Sequence, residues 1–552
     1  MSSVDHKSDA PATEKDLTTT GDRIDYDVGS TYTSDILPPH DSAGYHRVLP
    51  RRQIMMMTIG AGIGTGLWVG TGTALYYAGP AGMAIAYTVM AFVVYEMYMS
   101  IGEMTAYKPI HGGFIRQTME YVDPALGFAL GMAFWFDWVM IIPAEITAAI
   151  TVVDFWPNSV PTAAWITIFL VVIAVVNIFE VKIYGHVEFY MSFLKVLAIV
   201  AMIFFMIIMT SGGIPGTPKI EFTFWKKGMA FKNGFKGLMK AFLQAGFSFG
   251  GGEHIAVIAG EAMTPRKTIK STIRPLFWRM GSFFVLNIWL VGMCVSPNDK
   301  RLVSAKGTLA SPFVIAIENT GHHWLAHVLN AFILLTVISC GITAVYIASR
   351  TLTALSDLKL IHPFFAYKDK KGRPVVGLVL SLVLGGGLCY LNCNNTALEV
   401  YTWFSSLVGL TGFIMWGTLY IQHIRFRHGL KAQGISYKTL PFRDYMAPYG
   451  QYVVLAIIIF LLVGEAYLAL SPVSGAKPSA KNFFSTYIAA PLFVADYLGY
   501  KFWFKTKFVK ASNMDFTAAI PFDEEDRQMR EEKARNPPPK KTLRHKITSV
   551  LI

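Results

Sequence analysis

A few ionisable side chains interrupt otherwise apolar stretches of this chain, and they are the first candidates for chemistry. Asp137 and Glu145 lie in one such stretch and Lys195 lies in another. Asp137 and Glu145 are eight residues apart, which is about 80° round a helix, so they need not face the same space. Because an amine in apolar surroundings loses its proton readily, Lys195 is a candidate for a group that changes charge during function. The alternative is a cation whose long stem reaches the nearer polar edge.

Glycine is concentrated at two places, each inside an apolar stretch. Four glycines fall between residues 60 and 66, and four more fall between residues 246 and 252, directly before Glu253. Glycine costs about 1 kcal/mol relative to alanine in a helix interior. We therefore expect both helices to unwind at these places.

The two unwound segments expose complementary backbone groups. Where the first helix restarts, N–H groups near Gly64, Thr65 and Gly66 meet the positive end of the helix dipole and suit a carboxylate. Carbonyl groups near Phe247 and Ser248 accept from an ammonium. These groups predict a binding site for a zwitterion, although glycines can also serve only close helix packing. The predicted site combines Asp137 with residues of both segments, namely Gly62, Ile63, Gly64, Thr65, Gly66, Phe247, Ser248, Phe249, Gly250, Gly251, Gly252 and Glu253.

The composition places these residues in a membrane. The chain has 552 residues, of which 53% are hydrophobic and 15% are charged, against about a quarter charged in soluble domains. A helix needs about 20 apolar residues to cross the hydrocarbon core. Twelve segments fit an all-α integral membrane protein with twelve transmembrane helices, near 55–77, 81–105, 126–150, 161–178, 189–211, 238–259, 277–297, 325–347, 375–391, 400–421, 452–470 and 484–504.

Several classes of function are excluded by the same composition. A soluble enzyme does not carry so many apolar segments. The net charge of +13 is expected from loops retained in the cytosol, so nucleic acid is not an expected partner. The four cysteines lack the spacing of a zinc site or a disulfide framework, and we expect neither a metal nor a cofactor.

Charge along the chain predicts its domains and orientation. Residues 1–50 are polar and predict a disordered cytosolic tail, residues 51–504 are predicted to form the twelve-helix domain, and residues 505–552 are predicted to form a second flexible cytosolic tail. Loops on the side of the termini carry 17 Lys and Arg residues, against 9 in the opposite loops. Since positive loops are retained in the cytosol, both termini are predicted to be cytosolic.

The two glycine-rich interruptions occupy matching places in the predicted order. They lie in segments 1 and 6, which are the first helices of two five-helix repeats. Paired interruptions of this kind are the best sequence indicator of a transporter's central site. Helices 11 and 12 are then additions to a 5+5 arrangement. The pattern predicts a secondary active transporter.

The ordered motifs of the chain resemble the fungal (yeast-type) amino acid permeases of the amino acid–polyamine–organocation (APC) superfamily. The resemblance runs from about residue 46 to residue 510. Its motifs include Ile63-Gly64-Thr65-Gly66-Leu67, Gly79-Pro80-Ala81-Gly82, Pro143-Ala144-Glu145, Glu188-Phe189, Gly260-Glu261-Ala262, Pro265-Arg266-Lys267 and Ser349-Arg350-Thr351-Leu352.

The resemblance has implications for the fold, the transport mechanism and the site residues. It implies a fold like that of the bacterial leucine transporter (LeuT), with a 5+5 inverted repeat and two extra helices. It also implies a symporter that uses the proton gradient to take up amino acids across the plasma membrane by alternating access. Glu145 and Lys195 would take part in coupling. Lys7 and Lys15 in the N-terminal tail could accept ubiquitin from the ligase machinery, as any exposed lysine could.

Four positions depart from the pattern of the family. The family usually has Thr where this chain has Gly252, Gln at Asp137, Asn at Ile342 and an apolar residue at His254. We therefore expect a roomier and more negative pocket that prefers bulky or cationic side chains, with Phe249 covering the ligand and Glu253 ordering the unwound segment. The alternative is that Asp137 pairs with a neighbouring donor or faces away from the pocket.

Two other functions remain open. One is a carrier of carnitine, polyamines or related amines, which a Gly-Gly-Glu motif also resembles. The other is a transport-like nutrient sensor, which the short tails disfavour. A membrane enzyme is the least favoured, since no catalytic pattern lies at a membrane edge.

Overall fold

The computed structural model describes residues 51–535, except 111, 158, 180, 227, 259–264, 304–310, 474 and 476. Within these residues the long regular elements are all helices. The first eight are α1 Arg51–Gly62, α2 Thr71–Tyr107, α3 Gly113–Tyr121, α4 Pro124–Val153, α5 Thr162–Ile178, α6 Val181–Thr210, α7 Gly234–Phe249 and α8 Ile255–Ile258. The remaining nine are α9 Pro265–Cys294, α10 Pro312–Glu318, α11 His323–Asp357, α12 Val375–Cys389, α13 Ala397–Ala432, α14 Tyr449–Leu470, α15 Ala480–Tyr487, α16 Ala489–Phe504 and α17 Ile520–Arg535.

Eight helical stretches in the described chain are long and apolar enough to cross a membrane. The first, Gln53–Tyr107, has 55 residues, more than twice the roughly 20 that one crossing needs. It turns at Gly79, whose φ of 74° is disfavoured for residues that carry a Cβ. A Cβ at Gly79 would also lie 2.6 Å from the Ala230 carbonyl oxygen. Pro80 then begins the next helix with a φ suited to a first helical turn.

The interruption in the first apolar segment was predicted from its glycines and is confirmed. Helix α1 ends at Gly62, Ile63 and Gly64 are not helical, and the chain restarts through a π-helical turn, Gly66–Gly70. π-turns are rare and often lie at functional sites.

The second interruption is confirmed as well. Helix α7 ends at Phe249, and irregular backbone from Gly250 to His254 leads into α8. Phe247 and Ser248 therefore lie in the last turn of α7, where carbonyl groups lack donors from their own helix. A Cβ at Gly66 would lie 2.5 Å from the Cα of Ser248, so the two interruptions are in direct contact.

The segment from residue 505 to residue 535 differs from the flexible tail expected from its charge. Val509 N donates to the Val122 carbonyl at 2.9 Å. Phe516 is buried and its ring lies 5.9 Å from that of Tyr107. Arg266 Nη1 donates to Asp523 at 2.6 Å. Buried apolar side chains and a paired charge order this part of the segment, whereas residues 1–50 and 536–552, with Lys7 and Lys15, lie outside the described residues.

Candidate functional site

Glu145 of α4 is bound to the point where the first helix restarts. Its Oε1 accepts from Thr65 Oγ1 at 3.0 Å and from Thr65 N at 3.4 Å. A Cβ at Gly64 would lie 2.8 Å from the same oxygen and 3.0 Å from Cys340 Sγ. The glycine thus permits the close approach. The protein's own carboxylate occupies the helix start where the sequence placed a substrate carboxylate, so an incoming carboxylate must use the neighbouring N–H groups or displace Glu145.

Lys195 of α6 is bound to the end of α1. Its Nζ donates to the Gly60 carbonyl at 2.8 Å and lies 3.4 Å from Cys340 Sγ. The side chain is 1% exposed, so the alternative of an ammonium reaching the polar edge is wrong. A buried cation held by a carbonyl of the last turn of α1 links α6 directly to the helix interruption.

Glu188 belongs to the same cluster and was missing from the predicted site. Its Oε1 lies 3.7 Å from Lys195 Nζ. Ser192 donates to Oε1 at 3.2 Å, and Ser339 of α11 donates to Oε2 at 2.8 Å. The spacing of 188, 192 and 195 puts three polar residues on one helix face. That spacing was the available signal, although Glu188 had stood out only as part of the motif Glu188-Phe189.

The second interruption is ordered by its own side chains. Gly251 N donates to Glu253 Oε1 at 3.2 Å, which agrees with the expected role of Glu253. His254 Nδ1 forms a hydrogen bond with the Gly251 carbonyl. Gly251 has a φ of 97°, in the region that favours glycine. A Cβ there would lie 3.1 Å from the Ala61 carbonyl oxygen, so this turn faces the end of α1.

Asp137 of α4 lies near this turn. It is 2% exposed, and its Oδ1 has no hydrogen-bond partner among the described residues. The next residue on the same helix, Trp138, has a ring carbon 3.5 Å from the place of a Cβ at Gly251, so this part of α4 borders the turn. Asp137 and Glu145 therefore serve the two different interruptions, as their angular separation on α4 suggested.

The expected extra room beside Gly252 is absent, and this prediction was wrong. A Cβ at Gly252 would lie 1.7 Å from Tyr98 Oη and 2.4 Å from Tyr98 Cζ. The hydroxyl of Tyr98, from α2, fills the space that a threonine side chain would take. Phe249 is 1% exposed and stacks on Phe284 of α9, with ring centroids 4.8 Å apart. Its role as a cover for the ligand stays a prediction.

The structure thus brings the predicted residues together in two adjoining groups. Gly64, Thr65, Glu145 and Lys195 surround the first interruption. Asp137 and the glycines before Glu253 surround the second. Contact between Gly66 and Ser248 joins the groups. The arrangement places carboxylates, one buried cation and helix ends around one point of the bundle.

Comparison with known proteins identifies the family. The amino acid permease family model matches residues 53–513. Amino-acid permease GAP3 of Candida albicans is 36% identical over 479 residues, covering 86% of this chain and 80% of the relative. Cationic amino acid transporter 1 of Schizosaccharomyces pombe is 36% identical over 487 residues, covering 87% and 82%. General amino-acid permease GAP1 of Saccharomyces cerevisiae is 35% identical over 499 residues, covering 88% and 83%.

The chain therefore belongs to the amino acid permease family, and the resemblance noted in the sequence is confirmed. It is a multi-pass membrane transporter and not an enzyme. Among solved structures, a manganese transporter of Eremococcus coleocola shares a TM-score of 0.48 at 14% identity, covering 82% of this chain and 94% of that one. That likeness is too distant to establish a common fold.

Proposed function

We propose that this protein is a proton-coupled symporter that takes up amino acids across the plasma membrane by alternating access. The observation that carries the proposal is the hydrogen bond of 2.8 Å from Lys195 Nζ to the Gly60 carbonyl. It links a group able to lose a proton to the helix that must move when the site opens. The names of three relatives, two amino-acid permeases and a cationic amino acid transporter, support the substrate class.

The proposed architecture has twelve transmembrane helices in a 5+5 inverted repeat of the LeuT type, followed by two more. Eight stretches are long enough, and the first of them crosses twice at its turn, which gives nine. The shorter α5, the interrupted α7–α8 pair and α16 bring the number to twelve. In this arrangement residues 51–504 form the transporter domain, and the excess of Lys and Arg places both termini in the cytosol.

Substrate recognition follows from the two interruptions. The substrate carboxylate is held by N–H groups at the restart of the first helix, from Gly64 to Gly66. The substrate ammonium is held by carbonyl groups of the last turn of α7, including those of Phe247 and Ser248. Asp137, whose Oδ1 has no hydrogen-bond partner within the described part of the chain, accepts a cationic side chain. We therefore favour amino acids with cationic or bulky side chains over carnitine and polyamines.

Coupling follows from the charge of Lys195. When the ammonium loses its proton, its attraction to the Gly60 carbonyl and to Glu188 weakens and α1 can move away from α6. On the other side of the first interruption, Glu145 accepts a hydrogen bond from Thr65. The proton gradient supplies the energy, and the cycle needs no cofactor. Regulation by ubiquitin on Lys7 and Lys15 is part of the same proposal.

Uptake measurements test the function. The chain is expressed in a transporter-deficient cell, and uptake of labelled amino acids is measured at the cell surface with and without an uncoupler of the proton gradient. We expect accumulation that the uncoupler abolishes. Unlabelled amino acids, carnitine and spermidine are added as competitors. Accumulation that persists without a gradient would refute coupling, and competition by carnitine or spermidine alone would refute the substrate class.

A further inference from the structure

A proton that leaves Lys195 needs an acceptor inside the bundle. Within the described residues, Glu188 is the one carboxylate in ion-pair contact with Lys195, with Oε1 3.7 Å from Nζ. Both side chains are 1% exposed, so neither is open to water. Transfer of a proton from Nζ to Oε1 leaves a neutral amine and a neutral carboxylic acid, which removes two buried charges together. The distance must shorten to about 3 Å, as hydrogen bonds that transfer protons often do during turnover.

Two hydroxyl groups lead from Glu188 toward the start of α6. Thr343 of α11 is within hydrogen-bonding reach of the Glu188 carboxylate. Tyr184, one helical turn before Glu188 on α6, donates from Oη to Thr343 Oγ1 at 3.1 Å. Thr343 and Tyr184 are each 1% exposed. Because a hydroxyl can accept one proton and donate another, hydroxyls in contact can pass a proton through apolar packing.

The two hydroxyls end at a cavity between α5, α6, α11 and α12. Its polar lining comprises Asn177, Tyr184, Tyr346, Ser349, Arg350 and Arg373. Arg373 belongs to the loop before α12, which the count of Lys and Arg assigns to the cytosolic side. The ring of Tyr184 stacks on that of Tyr346, with centroids 3.9 Å apart. Tyr184 therefore lines the cavity with one part of its side chain and contacts Thr343 with its hydroxyl.

We propose that Glu188, Thr343 and Tyr184 form the route by which the transported proton leaves Lys195 for the cytosol. Lys195 Nζ gives its proton to Glu188 Oε1, and the resulting acid gives a proton to Thr343 Oγ1. The hydroxyl proton of Thr343 passes to Tyr184 Oη, and the phenol proton passes to water in the cavity. Glu188, Thr343 and Tyr184 end with as many protons as they had, and Lys195 ends with one fewer.

The direction of one hydrogen bond agrees with this route. Before transfer the hydroxyls must point toward the cavity, and after transfer they point back toward Glu188. Tyr184 donates to Thr343 in the structure, which is the direction left after a proton has passed. The inference rests on the proposed proton coupling, and it makes Thr343 and Tyr184 proton-relay residues.

Net uptake and exchange separate proton release from substrate transport. The full-length protein is reconstituted in proteoliposomes, where net uptake requires proton release and exchange of internal for external amino acid can proceed with the proton retained. Tyr184→Phe and Thr343→Val each remove one hydroxyl and keep the shape of the side chain. Both should lower the maximal rate of net uptake about tenfold or more, since a positioned proton-transfer group contributes at least that factor. The exchange rate and the KM should not change.

Three further variants distinguish a relay from a structural role. Thr343→Ser keeps the hydroxyl and should retain net uptake. Thr353→Val on α11 removes a buried hydroxyl that donates to its own helix, at Ser349, and should have no effect. Tyr121→Phe removes a buried phenol hydroxyl without a hydrogen-bond partner among the residues described, and it too should have no effect.

Two results would overturn the proposal. One is undiminished net uptake in both Tyr184→Phe and Thr343→Val. The other is an equal loss of net uptake and exchange in these variants, which would assign the hydroxyls to folding. Accumulation by the unmodified protein that ignores the proton gradient would instead refute the proposed function itself.

Discussion

The hydroxyl of Tyr98 occupies the place of the side chain that Gly252 lacks. A Cβ at Gly252 would lie 1.7 Å from Tyr98 Oη, and both residues are buried. The two positions are far apart in the sequence, on α2 and on the irregular backbone between α7 and α8. Helix α2 therefore packs against the second interruption, where the absence of a side chain at Gly252 leaves room for the hydroxyl of Tyr98.

Gly252→Thr should abolish uptake because the new side chain overlaps Tyr98. Adding Tyr98→Leu should restore part of the uptake by removing the hydroxyl and the ring carbon beneath it. Uptake and surface expression of the two single variants and the double variant form a cycle that isolates the pair. Strictly additive losses would show that the two side chains do not compete for the same space.

Lys195→Met should abolish proton-driven accumulation, because the variant has no proton to exchange at Gly60. It also leaves the buried Glu188 without its cation, which destabilises the protein. Adding Glu188→Gln should therefore restore surface expression but not accumulation. Lys219→Met, on an exposed residue, is the matched control. Normal accumulation with acidification by Lys195→Met would rule out Lys195 as the coupling group.

Gly64→Val and Gly66→Val should insert in the membrane but not transport. At Gly64 even a Cβ meets Glu145 and Cys340, and at Gly66 it meets the backbone of Ser248. Gly387→Val in α12 is the control, since nothing lies within 4 Å of a Cβ there. Surface labelling and uptake are measured on the same cells. Transport by either variant would show that the packing around that glycine can accommodate a valine side chain.

Phe516→Ala should lower the stability of the purified protein in detergent by about 3 kcal/mol, a usual cost of emptying a buried aromatic site. Phe516 is 6% exposed and contacts rings of α2, α3 and α13. Phe508→Ala is the control, because that side chain is 54% exposed. Thermal unfolding of both variants is compared with their KM for amino acid uptake, which neither should change. Equal stability of the two variants would contradict the packing of this segment.

A tag near residue 305 should react with an impermeant reagent on intact cells, whereas a tag near residue 435 should react only after permeabilisation. The expectation rests on the excess of Lys and Arg in the loops on the side of the termini. Labelling in the reverse order would invert the proposed orientation.

Features that depend on local composition could be predicted from the sequence. Contacts between residues that are distant in the sequence could not. Both helix interruptions follow from clustered glycines, and their positions agree with the structure. The space beside Gly252 could not be judged from sequence, because Tyr98 comes from another helix. The same holds for Glu188, whose binding to Ser339 depends on how α6 packs against α11. The folded segment after residue 505 was missed because its buried aromatic residues are few among many charges.

The cation bound to the Gly60 carbonyl is part of the polypeptide. An alkali ion at such a carbonyl would be carried across with the substrate and released on the other side. A tethered ammonium stays behind, so in the proposed cycle only its proton can cross. Uptake should then be indifferent to the sodium content of the medium and respond to its acidity.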